Sequence, residues 1–158
     1  MWNIITNIAT VIGAVTAGVS LIVACVTQRR AVNRQRRQAT IEAYARLQED
    51  VLDKLADFKT KEAKQAAENC METEEERQIY HGYKVLIARL EHFAVGIQEN
   101  TYDFNTFYKL GGIHIKYLYE KVEPIIIEAR SHTNDGNIPF AELEKLYHRI
   151  IIETHKYL

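Results

Sequence analysis

The stretch TEEERQIYHGYKVLIARLEHFAVGI, residues 73–97, decides the fold class of this 158-residue chain. Thr73 followed by three glutamates is a capping box with acidic side chains on the first turn, an arrangement that favours a helix start. Apolar side chains then recur every three or four residues, at Ile79, Tyr83, Leu86, Leu90, Phe93 and Ile97. The stretch therefore predicts one long amphipathic helix.

The sequence before this helix has the same spacing. A second apolar stripe is formed by Ile41, Tyr44, Leu47, Val51, Leu52, Leu55 and Phe58. It leads into a polar, alanine-rich tract at 59–69 that predicts a helix end. Asn100 is the expected stop of the long helix that follows.

Three further helices are predicted toward the C-terminus. A short helix is expected between a cap at Asp103 and the glycine pair Gly111–Gly112. Residues 113–130 form another, with a kink or break expected near Lys121 because Pro124 removes a backbone hydrogen bond. The last helix is expected to start at Pro139, since proline suits the first helical position. The fold class expected for this part is all-α, with four or five helices packed on one core.

The N-terminal segment has a different composition. Residues 4–26, IITNIATVIGAVTAGVSLIVACV, are 23 residues without a charge or a proline. As a helix they would extend about 34 Å, enough to cross a hydrocarbon core of about 30 Å. The sequence therefore predicts a transmembrane anchor at 1–28, a basic juxtamembrane segment at 29–40 and a helical domain at 41–158.

The charge distribution predicts the orientation of this anchor. Five arginines and no acid directly follow the span, at Arg29, Arg30, Arg34, Arg36 and Arg37. Basic side chains beside a span stay on the cytoplasmic side and contact anionic lipid headgroups. We therefore expect a single-pass protein of the cell inner membrane, with its N-terminus outside and its C-terminal domain in the cytoplasm. The rest of the chain has 15 basic and 21 acidic residues, which disfavours nucleic acid as a partner.

Cys25 leaves two alternatives open. IVAC, residues 22–25, is similar to a bacterial lipobox, in which Cys25 would be lipidated and the rest of the chain exported. The missing basic start and the arginines just after Cys25 both oppose that interpretation. Acylation of Cys25 at the inner boundary of the membrane is the other alternative.

Small residues recur every four positions in the predicted span. One row contains Gly13 and Ala17, and a parallel row contains Ala14 and Gly18. Small side chains let two membrane helices approach closely. Self-association through this face, giving a homo-oligomer, is a hypothesis that the spacing supports.

Two segments carry a family resemblance: LEHFAVGIQENTYDF at 90–104 and KLGGIHIKYLYEKVEPIIIEAR at 109–130. They resemble a family of bacterial single-span membrane proteins catalogued only as a domain of unknown function, with similarity over about residues 38–150. The resemblance implies a helical cytoplasmic domain on a membrane anchor and no established activity, and it places members near mobile elements and defence genes. Its most specific residues are Glu91, Phe93, Gly96, Asp103, Glu123, Pro124 and Arg130.

The six histidines and one loop are the candidates for metal binding. No Glu-x-x-His, His-x-x-x-His or His-Glu-x-x-His occurs. In SHTNDGNIPFAE, residues 131–142, Asp135 and Glu142 have the spacing of calcium ligands in an EF-hand. Ser131 and Thr133 stand where carboxylates are expected, which favours a simple Asp-Gly turn. No cofactor is therefore assigned.

The functional prediction follows from the anchor and from the lack of any catalytic motif in the sequence. It is a membrane-anchored helical module that binds another protein at the cytoplasmic face, and not an enzyme. Two alternatives stay open: an oligomerising membrane effector of the phage-defence type, and a metal-dependent enzyme, such as a hydrolase, or a degenerate calcium-binding loop.

Overall fold

The computed structural model describes residues 2–56, 74–131 and 138–156, without the side chains of residues 2–12, 14, 15, 56, 75 and 76. These residues form helices and no strand, so the all-α prediction is confirmed for the described part of the chain. The elements in chain order are α1 Trp2–Leu47, the π-helical segment π1 Gln48–Leu52, α2 Asp53–Ala56, α3 Glu74–Gln98, α4 Phe104–Phe107, the π-helical segment π2 Tyr108–Gly112, α5 Ile113–Ser131 and α6 Ala141–His155.

The chain divides into two compact units, residues 1–36 and residues 37–158. In the first unit the described side chains are exposed, including Leu21 at 67% and Ile22 at 65%. Where side chains are described, no helix is long and apolar enough to cross a membrane. The first part of the predicted span, residues 4–12 with Ala14 and Val15, lies outside those side chains. The transmembrane segment therefore stays a prediction.

The second unit is a helical bundle around one apolar core. Its helices α3 and α5 both pack against α6, and α4 with π2 joins α3 to α5. The largest fully buried side chains come from every part of this unit: Val51, Leu55, Ile87, Leu90, Ile97, Phe107, Ile115, Ile125, Ile126, Leu143, Leu146 and Ile150. Burying a side chain of this size contributes about 1.5–3 kcal/mol, so this core accounts for the cohesion of the unit.

The long helix predicted from residues 73–97 is present, but its buried face differs from the predicted one in the first half of the helix. Ile79 is 46% exposed, whereas Tyr80 and Ile87 are buried. From Leu90 onward the predicted residues, Phe93 and Ile97 included, are buried as expected. The helix carries apolar side chains on two adjacent faces in its first half, and the sequence alone does not say which face meets α6.

The stripe predicted around residues 41–58 is confirmed in its middle part. Tyr44, Leu47, Val51, Leu52 and Leu55 are buried, while the first residue of the predicted stripe is half exposed and residue 58 lies outside the described residues. In the π1 segment each backbone hydrogen bond spans five residues, one more than in an α-helix. Both Val51 and Leu52 in this segment are buried in the core. The polar tract at 59–69 also lies outside the described residues.

Two helix ends follow the sequence, while one helix start and one predicted break differ from it. Asn100 adopts a left-handed backbone conformation, φ 56°, just after α3, and Asp103 caps α4 by accepting a hydrogen bond from the backbone N–H of Thr106, at 2.8 Å, as predicted. Helix α5 runs unbroken through Pro124, with buried residues on both sides, so the predicted break near Lys121 is wrong, while the alternative of a kink stays a prediction. The start predicted at Pro139 is also wrong, because α6 begins two residues later at Ala141.

Candidate functional site

A cavity of about 440 Å³ opens on the surface of the second unit, beside both π-helical segments. One side is supplied by residues 44–53 and the other by residues 110–121. We call it the π groove, and its lining residues are Tyr44, Gln48, Leu52, Asp53, Leu110, His114, Tyr117, Leu118 and Lys121. Its volume lies within the roughly 300–1,000 Å³ that is usual for ligand sites.

The segments π1 and π2 both line this groove. Segment π1 is one π-helical turn, whereas in π2 the backbone leaves helical geometry at Gly111, with φ −178° and ψ 26°. Gln48 and Leu52, at the ends of π1, line it on one side, and Leu110, in the middle of π2, lines it on the other. A π-helical turn inserts one residue into a helix and redirects the side chains beside it, and such turns are frequent at functional sites. The groove thus lies where the π1 turn and the kink at Gly111 both depart from α-helical geometry.

Tyr44 is a buried residue in the lining of the π groove. Its ring is buried between Phe93 and Phe107, with ring centroids 6.5 and 6.2 Å away. Its hydroxyl approaches Gly111 so closely that a Cβ at that position would overlap it. Burial raises the pKa of the Tyr44 phenol above its usual value, so the hydroxyl is neutral over the physiological range.

The rim of the groove is apolar and exposed on the α5 side. Leu110 is 42% exposed and Tyr117 is 57% exposed. Ile113, one turn before Tyr117 on the same face of α5, is 39% exposed. Three large apolar side chains close together on the surface of one unit indicate a contact surface for another molecule.

Charged groups of opposite sign stand on the two sides of the groove. Asp53 belongs to the side formed by residues 44–53, and Lys121 belongs to the side formed by α5. Gln48 and His114 add one polar group to each side. The arrangement suits an apolar group that enters between the sides and is oriented by charges at the edges.

The family-specific polar residues of the sequence lie elsewhere, and the structure shows that they hold helix ends. Glu91 on α3 accepts hydrogen bonds from the backbone nitrogens of Glu142, at 3.0 Å, and Leu143, at 2.7 Å, in the first turn of α6. Phe140, the residue before α6, has no polar side chain and adopts a left-handed backbone conformation, φ 60°. The cap of α6 is therefore supplied by another helix.

Arg130 completes this junction from α5. Its Nε donates to the carbonyl oxygen of Pro139 at 3.0 Å, and its Nη2 bonds Glu144 at 3.0 Å. Tyr119 packs nearby, stacked on Tyr147 with ring centroids 4.3 Å apart. Burial, followed by the Glu144 charge, raises the pKa of Tyr119 to about 12.

Phe93, Gly96 and Asp103 of the resemblance also serve packing, whereas Glu123 is exposed. Phe93 stacks on Tyr102, and Gly96 lies against that ring, where a Cβ would overlap it. The backbone N–H of Asp103 donates to the buried Oγ1 of Thr40 at 2.7 Å, which ties the turn after α3 to α1. Most of the residues that carry the resemblance therefore hold the bundle together.

The predicted lipid-headgroup residues and the predicted self-association residues all belong to α1. The five basic residues of the juxtamembrane segment are all exposed. Gly13 and Gly18 have no neighbouring atom within 4 Å of a Cβ built on them, Ala17 is exposed, and the side chain of Ala14 is outside the description.

The predicted calcium loop is only partly described. Asp135 lies outside the described residues, and Glu142 forms an ion pair with Lys145 at 2.6 Å. In the described part of the chain, no three His, Cys, Asp or Glu side chains are grouped closely enough to hold a metal ion.

Comparison with known proteins gives a family. The model of DUF4760, a domain of unknown function, matches residues 14–150. The chain belongs to this family. No curated protein and no solved structure showed significant similarity. The DUF4760 match covers the whole π groove as well as the junction made by Glu91 and Arg130.

Proposed function

We propose that this DUF4760 protein is a membrane-tethered helical module that binds another polypeptide in the π groove. The observation that supports this function is the groove itself, an apolar cavity with exposed Leu110 and Tyr117 at its edge. Interfaces take much of their binding energy from a few aromatic and aliphatic side chains that fill such cavities. A volume of about 440 Å³ accommodates more than one of them.

The tether in this proposal is the N-terminal segment. Residues 4–26 contain no charge, and the exposed basic residues from Arg29 to Arg37 would stop translocation and contact headgroups. The second unit would then lie on the cytoplasmic face of the cell inner membrane. A tether raises the effective concentration of the module near a partner in the same membrane, so a contact of modest affinity is sufficient there.

Site-specific photo-cross-linking tests the binding function. A photoreactive phenylalanine analogue replaces Tyr117 in the full chain, and a second version carries it at Ile127, which is 60% exposed. Ten residues of α5 separate the two positions, or about 15 Å along the helix. In cells we expect a discrete polypeptide adduct from position 117 and none from position 127.

A groove-filling variant makes this test specific. His114→Trp places a large ring in the groove at an exposed position, so it fills the cavity without a change in the core. The adduct from position 117 should disappear in this background while the protein level is unchanged. Equal adducts from positions 117 and 127, or an adduct that His114→Trp does not affect, would contradict the proposed function.

A further inference from the structure

The lining of the π groove includes one acidic and one basic side chain. Asp53 is on the side formed by residues 44–53 and Lys121 is on the α5 side, and within the described residues the two do not pair with each other. A two-fold axis that runs along a groove places each side of one copy opposite the other side of the second copy. Such an isologous contact therefore sets the side of each copy that carries Asp53 against the side of the other that carries Lys121.

We propose that the π groove binds a second copy of this chain, in a two-fold symmetric contact with two Asp53–Lys121 pairs. The apolar edge supports the same arrangement. Tyr117 and Leu110 project from the α5 side and are exposed, while Leu52 and Tyr44 on the other side are buried. In the two-fold contact, Leu110 and Tyr117 of each copy enter the groove of the other and pack beside its Tyr44.

This inference rests on the proposed binding function and names its partner. Two chains tethered in one membrane meet at high effective concentration, so the contact does not need the area of a permanent dimer. Because of the two-fold symmetry, a substitution at one charged residue changes both charge pairs of the contact. Like charges placed opposite each other disfavour association.

Charge reversal tests the contact with the full chain, purified in lipid nanodiscs and labelled separately with a donor and an acceptor fluorophore. In Asp53→Lys, two lysines of each copy face two lysines of the other. In Lys121→Glu, acidic residues face each other in the same way. We expect each variant to self-associate roughly tenfold or more weakly than the wild type.

Mixing the two variants should restore association. When Asp53→Lys meets Lys121→Glu, one contact pairs the introduced Lys with the introduced Glu, and the other keeps the natural pair. Energy transfer in the mixture should return to within about threefold of the wild-type dissociation constant. The matched controls, Glu49→Lys and Lys54→Glu, change exposed charges outside the groove and should associate like the wild type.

Each outcome of this experiment supports or overturns the two-fold contact. Restored association in the mixture supports the two-fold contact. A monomeric wild-type chain, association that neither variant weakens, or a mixture as weak as its components overturns it. Failure of the binding function is distinguishable, because a position-117 adduct with a different protein would retain that function while overturning the self-contact.

Discussion

The carboxylate of Glu91 lies 2.7 Å from the backbone nitrogen of Leu143, across the interface between α3 and α6. The first N–H groups of a helix have no partner within the helix, and an anion placed there also interacts favourably with the helix dipole. A side chain 52 residues earlier thus serves as the cap. The orientation of α6 in the bundle is coupled to that of α3 by this contact.

Glu91→Ala should destabilise the second unit by about 2–3 kcal/mol, because it removes a charged acceptor from two part-buried backbone donors. Glu91→Gln keeps one oxygen acceptor and should cost less, about 1 kcal/mol. Urea unfolding of the full chain followed by circular dichroism measures both. Glu99→Gln, at an exposed acid just after α3, is the matched control. An equal effect of Glu91→Ala and Glu99→Gln would contradict the capping role.

Local sequence predicted the helix ends whose partners are near in the chain. Asp103 caps α4 through Thr106, three residues away, and Asn100 ends α3 through its own backbone conformation. The cap of α6 was not predicted, because nothing at Pro139 or Phe140 indicates that the acceptor comes from α3. Long-range capping leaves no periodic signal in one sequence.

The π groove was not predicted for a similar reason. Gln48 and Asp53 are more than 50 residues from Leu110 and Tyr117 in the chain, and each group taken alone has an ordinary helical composition. The glycine pair at 111–112 predicts a helix end, and the backbone does leave helical geometry at Gly111, with φ −178° and ψ 26°, before α5 begins. Only the contact of Gly111 with Tyr44 shows why a glycine is needed there.

Gly111→Ala tests that contact. Its Cβ would overlap the Tyr44 hydroxyl, and Tyr44 is enclosed by Phe93 and Phe107. We expect a loss of about 1–3 kcal/mol in the free energy of unfolding, as for other overpacked sites. Adding Tyr44→Phe, which removes the overlapping oxygen, should recover part of the loss.

Gly82→Ala is the matched control for this substitution. Gly82 lies inside α3 with no neighbouring atom within 4 Å of an added Cβ, so alanine should stabilise the helix by up to about 1 kcal/mol. The opposite signs of the two glycine substitutions can be read from the same thermal melts. Stabilisation by Gly111→Ala would refute the close approach to Tyr44.

Because of Tyr119, the free energy of unfolding of the second unit should depend on pH in the alkaline range. Its pKa is raised from 10.0 to about 12, so the folded state holds the phenol proton more tightly than the unfolded state does. The stability due to this group is complete below pH 10 and is lost as the pH rises toward about 12. Urea titrations at several pH values should therefore show a smaller decline between pH 10 and 12 for Tyr119→Phe than for the wild type. Tyr117→Phe, at an exposed tyrosine, should decline like the wild type.

The proposed tether predicts how the full chain fractionates. A helix spanning the bilayer resists alkaline carbonate, which strips proteins held only by charge, so the wild-type chain should stay in the membrane pellet. Gly13→Arg with Ala17→Arg places two charges near the middle of residues 4–26, each costing about 2.5–3.5 kcal/mol on insertion, and should move the chain to the supernatant. Ile127→Arg with Ile152→Arg adds the same two charges at exposed positions of the second unit and should leave the chain in the pellet. If the wild-type chain itself is released by carbonate, the membrane tether is wrong, whereas the contact through the π groove would still be open to test.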